Sequence, residues 1–589
     1  MTEQMVTVKA TINGTTVEVP EGTSILSAAR QAGVIIPNLC QDPDLLPTAA
    51  CGLCIVKIAG SGKMPRACAT KVQDGMKITT HDGELTRIRR TVLELILSTH
   101  PNACLTCGRN GNCELQTLVG EFGVRDDRME KHIRDVPPDR SNGSITIDFS
   151  KCINCGRCVQ VCQQVQNVWA LSSLNRGIDT RMAPAGDIAL ADSPCIKCGQ
   201  CAAHCPTGAI VEHDETADVW EALRHDDTYC SVQIAPAVRV ALGEEFGYPP
   251  GTNLTRKIYS ALRKLGFKAV FETPLTADLT IMEEANEFVE RFSDGKGPLP
   301  IITSCCPSWT DYMEKNHFDF IENFSSAKSP QQMLGVLAKT YYSQKMEIDP
   351  AKHYHAAVMP CTAKKYELER TDEMFASGYQ DVDVTITTRE LARMIKQAGI
   401  VFDELSDEEP DSLLGEYSGA GTIFGVTGGV TEAAVRTAHY LITGENLSKE
   451  GITLQPVRGM DGVREAEVQM NGTPVRVAMA HGMANVGKIL DKLREARERG
   501  EEPPYHLVEV MACPGGCIGG GGQPYGIGPE VRRKRIEGLY QDDSDRTLRF
   551  AHENPAIQQI YRDFLGEPLG ETSMKLLHTK YKPRRKYSR

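Results

Sequence analysis

The residues best equipped for chemistry are cysteines gathered at the ends of apolar runs. In Val510-Met-Ala-Cys-Pro-Gly-Gly-Cys-Ile-Gly-Gly-Gly-Gly-Gln-Pro524, Cys513 and Cys517 stand four residues apart, directly after Leu507, Val508 and Val510, which read as a buried strand. Two thiolates at that spacing, flanked by glycines, let backbone come close to a bulky group. A disulfide is the plainer alternative, but so many glycines have no use around a mere staple. Two further cysteines follow similar apolar runs: Cys306 in Ile301-Ile-Thr-Ser-Cys-Cys-Pro-Ser-Trp309 and Cys361 in Ala357-Val-Met-Pro-Cys-Thr-Ala-Lys-Lys-Tyr-Glu367. Three strand-then-cysteine segments predict loops converging at the C-terminal ends of strands, where open α/β sheets hold their ligands. Four cysteines from three loops can hold a cubane iron–sulfur cluster.

The elements that must position the remaining cysteines lie upstream. Residues 6–20 alternate apolar and polar around Asn13-Gly14, a hairpin pattern, and a short helix from about Ser24 to Ala32 is closed by Gly33. Cys40, Cys51, Cys54 and Cys68 follow with C-x10-C-x2-C-x13-C spacing. Hairpin, helix and cysteine loop resemble a 2Fe-2S ferredoxin domain, with wider spacing than the plant type; zinc is the competing reading. Leu85, Ile88, Val92, Leu95 and Ile96 predict one face of a helix ending near His100. His100, Cys104, Cys107 and Cys113 then form H-x3-C-x2-C-x5-C, which by chemistry alone suits zinc or iron. Next come two copies of one repeat, Cys152-x2-Cys155-x2-Cys158-x3-Cys162 and Cys195-x2-Cys198-x2-Cys201-x3-Cys205-Pro206. They resemble the two-cluster bacterial ferredoxin, in which each fourth cysteine ligates the other cluster. That pairing groups Cys152, Cys155, Cys158 and Cys205, and separately Cys195, Cys198, Cys201 and Cys162. Gln163 stands where the motif has proline, which removes no ligand.

At 589 residues the chain is too long for one core, and its composition is that of an ordinary globular protein. The net charge of −12 argues against a nucleic-acid partner, and no apolar run is long enough to span a bilayer. Met1-Thr-Glu-Gln opens directly into a strand pattern without a signal-like segment, so a cytoplasmic location is expected. With 21 cysteines mostly in C-x2-C clusters, metal ligation is the expected use rather than disulfides. After Thr228 apolar strands alternate with helical segments. Cys230 reads as a buried apolar thiol, and Leu405–Ser412 and 494–504 read as charged surface loops. The glycines of 418–429 lack a Walker lysine and dinucleotide spacing, so close packing is expected there and no nicotinamide or flavin site is read in the chain. The basic stretch Lys580–Arg589 reads as a solvated end.

The three segments around Cys306, Cys361 and Cys513/Cys517 resemble the TSCCP, MPCxxKxxE and MACxGGCxxGGGQP signatures of iron-only (FeFe) hydrogenases. That resemblance runs from about residue 5 to 580. It favours iron over zinc at His100/Cys104/Cys107/Cys113, a histidine-ligated 4Fe-4S cluster. It implies a multidomain α/β architecture: a β-grasp 2Fe-2S domain over 1–82, a His/Cys3 4Fe-4S domain over 83–142, a two-cluster ferredoxin domain over 143–215, a large catalytic domain over 216–572 and a basic tail over 573–589. The implied cofactors are one 2Fe-2S cluster, three accessory 4Fe-4S clusters and an H-cluster, a cubane bridged to a diiron unit with CO, cyanide and dithiolate ligands. Cys306, Cys361, Cys513 and Cys517 would hold the cubane, with Cys517 as the bridge.

Other roles also follow from the resemblance. Cys305 is the proton donor and acceptor beside the diiron unit; on a strand it would point away from Cys306. Lys364 meets a cyanide ligand, Met359 and Met511 form an apolar wall, and Pro236 lines the cofactor pocket. Glu284 and Glu287, in Thr280-Ile-Met-Glu-Glu-Ala-Asn-Glu287, sit one helical turn apart. Alone they would read as a solvated face; with Ser325 the resemblance makes them a relay, Cys305–Glu284–Ser325–Glu287. Ser308 and Thr431 depart from the common pattern, Thr431 as a candidate change in the pocket wall. The implied reaction is reversible H2 oxidation and proton reduction. The implied partners are ferredoxin, or flavin- and NAD(P)-binding subunits, together with maturation proteins. A hydrogen sensor or a pure electron-transfer subunit is the competing class.

Overall fold

The cysteine blocks are carried by separate sets of elements, strands for all but the His100–Cys113 block, which lies among helices. The computed structural model describes residues 6–125, 127–448, 454 and 458–587. At the N-terminus β1 (Thr7–Ile12) and β2 (Thr15–Pro20) pair antiparallel around Asn13 and Gly14. Those two residues have φ of 49° and 88°, the left-handed pair that a two-residue hairpin needs. The helix Ile25–Gln31 starts at Ser24, whose hydroxyl accepts from the Ser27 N–H at 3.2 Å. β3 (Lys57–Ile58) and β4 (Met76–Thr79) complete a sheet of order β2-β1-β4-β3, closed over Ile12, Val19, Ile25 and Val56.

The helix Gly83–Ser98 exists as expected, but its inward line differs. It buries Leu85, Arg89, Leu93 and Leu97; Ile88, Val92 and Ile96 lie on the margins, and Leu95 is 53 % exposed. The displaced stripe has a physical cause. Arg89 turns inward because its guanidinium donates to the carbonyls of Leu53 at 3.0 Å, Ile55 at 2.7 Å and Thr80 at 2.8 Å, and buried carbonyls need donors.

The ferredoxin-like region is built on β5 (Ile145–Ile147), β6 (Ser172–Leu174), β7 (Arg181–Ala183) and β8 (Ile210–Glu212), paired β5 with β8 and β6 with β7. Its internal repeat extends to the backbone. Asn154 and Lys197 both adopt positive φ (55° and 60°), as do Gly156 and Gly199 (79° and 71°), each pair wrapping a C-x2-C loop into a short helix.

The last region contains two sheets. β9 (Tyr229–Ile234), β10 (Ala269–Glu272), β12 (His353–Met359) and β13 (Val384–Thr387) form a fully parallel sheet of order β10-β9-β12-β13. β11 (Ile301–Ile302), β14 (Val463–Met470), β15 (Thr473–His481) and β16 (Leu507–Met511) form the second, of order β11-β16-β15-β14, with only β14 antiparallel. The long helix Thr273–Ser293 leaves β10 and packs against helices Pro330–Leu337 and Gly429–Thr443.

Two expectations change and one holds. Residues 494–498 belong to the helix Met483–Glu498 rather than to a loop, so that charged stretch is half helical. The C-terminal segment is not a free solvated end. Helix Glu571–Leu577 buries Ser573, Leu576 and Leu577, His578 meets Glu283 at 3.0 Å, and Arg584 meets Asp311 at 2.7 Å. The glycines of 418–429 do serve close packing: a Cβ on Gly421 would strike the Pro274 carbonyl and one on Gly429 the Ile423 carbonyl. Among the described residues no helix is long and apolar enough to cross a membrane.

Arg89→Met should destabilise the N-terminal domain by about 2 kcal/mol or more, since buried carbonyls lose their donor. Thermal unfolding followed at the 2Fe-2S absorbance checks this; an unchanged midpoint would contradict the role given to Arg89.

Candidate active site and cluster centres

The three cysteine loops meet, and they come from both sheets. β12 delivers Cys361; β11 and β16 deliver Cys306 and the Cys513/Cys517 pair. All four cysteines line one cavity of about 80 Å³. Cys305, Lys364, Met359, Met511 and Pro236 line it too, as the sequence resemblance implies. The path to Cys305 differs from expectation. β11 ends at Ile302, and Cys306 is the N-cap of helix Pro307–Asn316, so the two adjacent cysteines reach the same cavity from an extended segment rather than from opposite faces of a strand.

Burial pushes all four thiols up, Cys361 to about 12, and the neighbouring cysteines push Cys361, Cys513 and Cys517 further. Lys364 is the one cationic side chain among the residues lining the cavity. Four clustered thiols that the protein alone keeps protonated fit an iron–sulfur cluster, whose iron provides the charge that stabilises thiolate. The glycines after Cys513 have a more local purpose than expected. A Cβ on Gly516 would strike the backbone of Val426 and Thr427, on Gly520 the Pro360 carbonyl, and on Gly521 the Cys198 carbonyl. They let the ligand loops pack on one another.

Lys364 is held in place. Its ammonium donates to the Cys305 carbonyl at 3.1 Å and to the Glu367 carboxylate at 2.8 Å. Glu367 is buried and also accepts from the Ser329 hydroxyl at 2.8 Å and the Gln331 amide at 3.2 Å. Neither Glu367 nor Gln331 is assigned a role from sequence. For Glu367 a signal exists, a glutamate one helical turn after the lysine.

Glu284 and Glu287 lie on helix Thr273–Ser293 and both are buried, not solvated. The Ser325 hydroxyl donates to Glu287 Oε2 at 3.0 Å, and Ser325 lies near enough to Glu284 to offset part of its upward shift. Glu284 Oε1 is buried without a hydrogen-bond partner. Burial raises the Glu284 carboxyl to about 8, with the Glu287 charge adding to the shift. Burial raises the Cys305 thiol, and Glu284 is its largest charged perturber. Glu287 Oε1 pairs with Arg291 at 2.5 Å, one turn further along and half-buried. Arg291 is a further residue that sequence reasoning misses, although its i,i+4 spacing from Glu287 is readable. Thr431 is not a lining residue; it is buried on helix Gly429–Thr443, where its N–H donates to Glu509 at 2.7 Å. Ser308 is likewise buried in the first turn of its helix and does not line the cavity.

The accessory sites repeat the same logic. Cys158 is raised by burial and then by Cys155, Cys152, Cys205 and Cys201; Cys198 by burial and then by Cys201, Cys195 and Cys162. The cysteines of the two repeats are thus close neighbours, and their division into two interleaved groups is what the ferredoxin repeat implies. His100 is buried, its Nδ1 lies 2.9 Å from the Pro101 carbonyl, and its Nε2 has no hydrogen-bond partner among the described residues. One nitrogen is thus oriented and the other available, which is compatible with the metal-ligating role that the resemblance implies. Cys40, Cys51, Cys54 and Cys68 are close enough to perturb one another, which fits a 2Fe-2S site. Cys230 stands apart, buried, its thiol against the Ala222 carbonyl at 3.4 Å, as expected of a packed apolar side chain.

The centres form a connected series. The Thr48 hydroxyl donates to the Cys155 carbonyl at 3.1 Å, and the Glu114 N–H to the Pro206 carbonyl at 3.1 Å, so both N-terminal sites abut the ferredoxin-like region. On its other side the Thr362 hydroxyl donates to the Lys197 carbonyl at 2.7 Å, joining the Cys195–Cys198 loop to Cys361.

Comparison with known proteins matches five segments of the chain. Residues 228–521 match the C-terminal domain of the iron-only hydrogenase large subunit, and 529–584 match the small subunit of iron hydrogenase. Residues 5–83 match a 2Fe-2S iron–sulfur cluster binding domain, 89–128 the NADH-ubiquinone oxidoreductase-G iron–sulfur binding region, and 151–210 a 4Fe-4S dicluster domain. The chain is 46% identical to the NADP-reducing hydrogenase subunit HndD of Solidesulfovibrio fructosivorans, over 97% of this chain and 98% of that protein. It is 39% identical to iron hydrogenase 1 of Clostridium pasteurianum, over 97% and 99% respectively. An apo FeFe-hydrogenase structure from Chlamydomonas reinhardtii covers 63% of this chain and 99% of that one, at 39% identity and a TM-score of 0.56.

His100→Ala should remove or alter the electron paramagnetic resonance signal of one 4Fe-4S cluster and leave the others intact. A full, unchanged set of cluster signals would exclude His100 as a ligand.

Proposed function

The chain belongs to the iron-only hydrogenases, and on that premise we propose that it is the hydrogen-converting subunit of a cytoplasmic NADP-linked complex. Its reaction is reversible H2 oxidation and proton reduction, with accessory iron–sulfur centres for the electrons. The observation that carries the NADP link is near full-length similarity to a subunit named for NADP reduction. The family models that match this chain describe iron–sulfur and hydrogenase domains, so flavin and nicotinamide chemistry is assigned to partner chains.

Cys306, Cys361, Cys513 and Cys517 would hold the active-site cubane and, through Cys517, a diiron unit that supplies heterolytic cleavage of H2. The other roles fall to side chains. Lys364, held by Glu367, would present positive charge to the anionic ligands of that unit. Met359, Met511 and Pro236 keep the pocket apolar and dry. Cys305 takes or gives the proton at its sulfur. Glu284, with one buried unbonded oxygen, is the next carrier, Ser325 passes the proton on, and Glu287 with Arg291 delivers it towards solvent. A carboxyl raised to about 8 suits this task, because neither protonation state is costly near neutral pH.

The direction of the shift sets a pH dependence. Glu284 must be ionised to accept a proton during H2 oxidation and protonated to donate one during H2 production. As pH rises through about 8, oxidation should gain and production should fall. A raised acid also favours the folded chain in its protonated form; that contribution is full below the ordinary glutamate range and is lost as pH rises through about 8. Glu284→Gln should cut both rates by roughly 10²-fold, abolish this pH crossover and leave the infrared spectrum of the cofactor unchanged. Unchanged turnover would sink the relay.

The partner assignment has its own test. The natively purified protein, with its co-purifying subunits identified, should reduce NADP under H2, and the isolated chain should reduce viologen but not NADP. Direct reduction of NADP by the isolated chain, or a native complex that reduces only ferredoxin, would contradict it.

A further inference from the structure

A buried cluster of charge lies where the ferredoxin-like region meets the active-site loops. Asp311, fully buried on helix Pro307–Asn316, accepts from the Lys197 ammonium at 3.0 Å, the Lys315 ammonium at 2.9 Å and the Arg584 guanidinium at 2.7 Å. A second acid, Glu314, lies 3.8 Å from Arg584 and 3.3 Å from Arg370. Three cations therefore converge on Asp311, and Glu314 is shared between Arg584 and Arg370, so positive charge is in excess around Asp311.

The position of that excess is specific. Lys197 is inside the Cys195–Cys198 loop and Lys315 donates to the Cys195 carbonyl at 2.9 Å. Lys197 also lies 4.0 Å over the Tyr366 ring and holds a left-handed backbone conformation, which suits asparagine better than lysine; its counterpart in the first repeat is Asn154. A lysine at this position is thus present for its side chain rather than for the loop. We propose that Lys197, Lys315 and Arg584, gathered by Asp311, raise the reduction potential of the cluster held by Cys162, Cys195, Cys198 and Cys201. A cluster gains one negative charge when it accepts one electron, with no bond made or broken, and fixed buried positive charge stabilises the reduced form. The cluster next to the active site is thereby made the favoured first acceptor. Arg584 gives the C-terminal segment a part in this.

The inference rests on the cluster assignment above but not on turnover, so its test is potentiometric. The four accessory clusters of the full chain are titrated with dithionite under argon and followed by electron paramagnetic resonance. Lys197→Met and Lys315→Met should each move one 4Fe-4S midpoint to a more negative potential, and Asp311→Asn should move the same midpoint to a more positive one. Lys197→Arg should restore it, and Arg584→Gln, at the half-exposed edge, should give a smaller negative shift. The other clusters should not move. No shift, or shifts of one sign for both lysine and aspartate variants, would overturn the proposal; loss of that signal in all variants would instead count against the cluster assignment.

Discussion

Four cysteine thiols from two separate sheets are held in one small, largely apolar cavity whose described lining contains a single cation, Lys364. Burial alone makes each of them a poor thiolate. The arrangement becomes favourable only when iron compensates the charge, so the site is coupled to its cluster in the way that metal-dependent folds are. Much of the surrounding structure follows from bringing these loops together. Gly516, Gly520 and Gly521 stand where loop backbone meets loop backbone. Both sheets contribute to the cavity, because its ligands come from three loops that the two sheets divide between them.

Two different walls flank that centre. On one, the helix Thr273–Ser293 brings Glu284, Glu287 and Arg291 against Ser325, the side proposed for protons. On the other, the Cys195–Cys198 loop packs towards Cys361 through Thr362 and Lys197, the side proposed for electrons. Both N-terminal centres abut the ferredoxin-like region, which accords with more than one route for electrons beyond it.

The cysteine clusters are legible in the sequence because spacing is a local property. C-x2-C loops, a hairpin at Asn13-Gly14 and an apolar run before each active-site cysteine segment are all read within a few residues. Burial of charged groups is not legible, because it is decided by distant segments. Arg89 reads as a surface residue until the carbonyls of Leu53, Ile55 and Thr80 are known to need it. The Lys580–Arg589 stretch reads as a free tail, yet Arg584 finds Asp311, 273 positions away in the chain. Arg291 is within reach through helical spacing from Glu287, and Glu367 is itself the closing residue of the MPCxxKxxE segment. The division into two sheets is beyond reach, since strand order is not encoded in the strands themselves.

The most direct measurement is H2-dependent reduction of a viologen dye by the isolated chain, produced anaerobically with hydrogenase maturation proteins, alongside Cys305→Ala. Fast reduction by the native chain, abolished in the variant while the iron–sulfur signals stay intact, is the expected result. A chain that carries its clusters but reduces no dye, or a Cys305→Ala variant that turns over normally, would contradict the assignment of Cys305 as the proton-handling residue of a working hydrogenase.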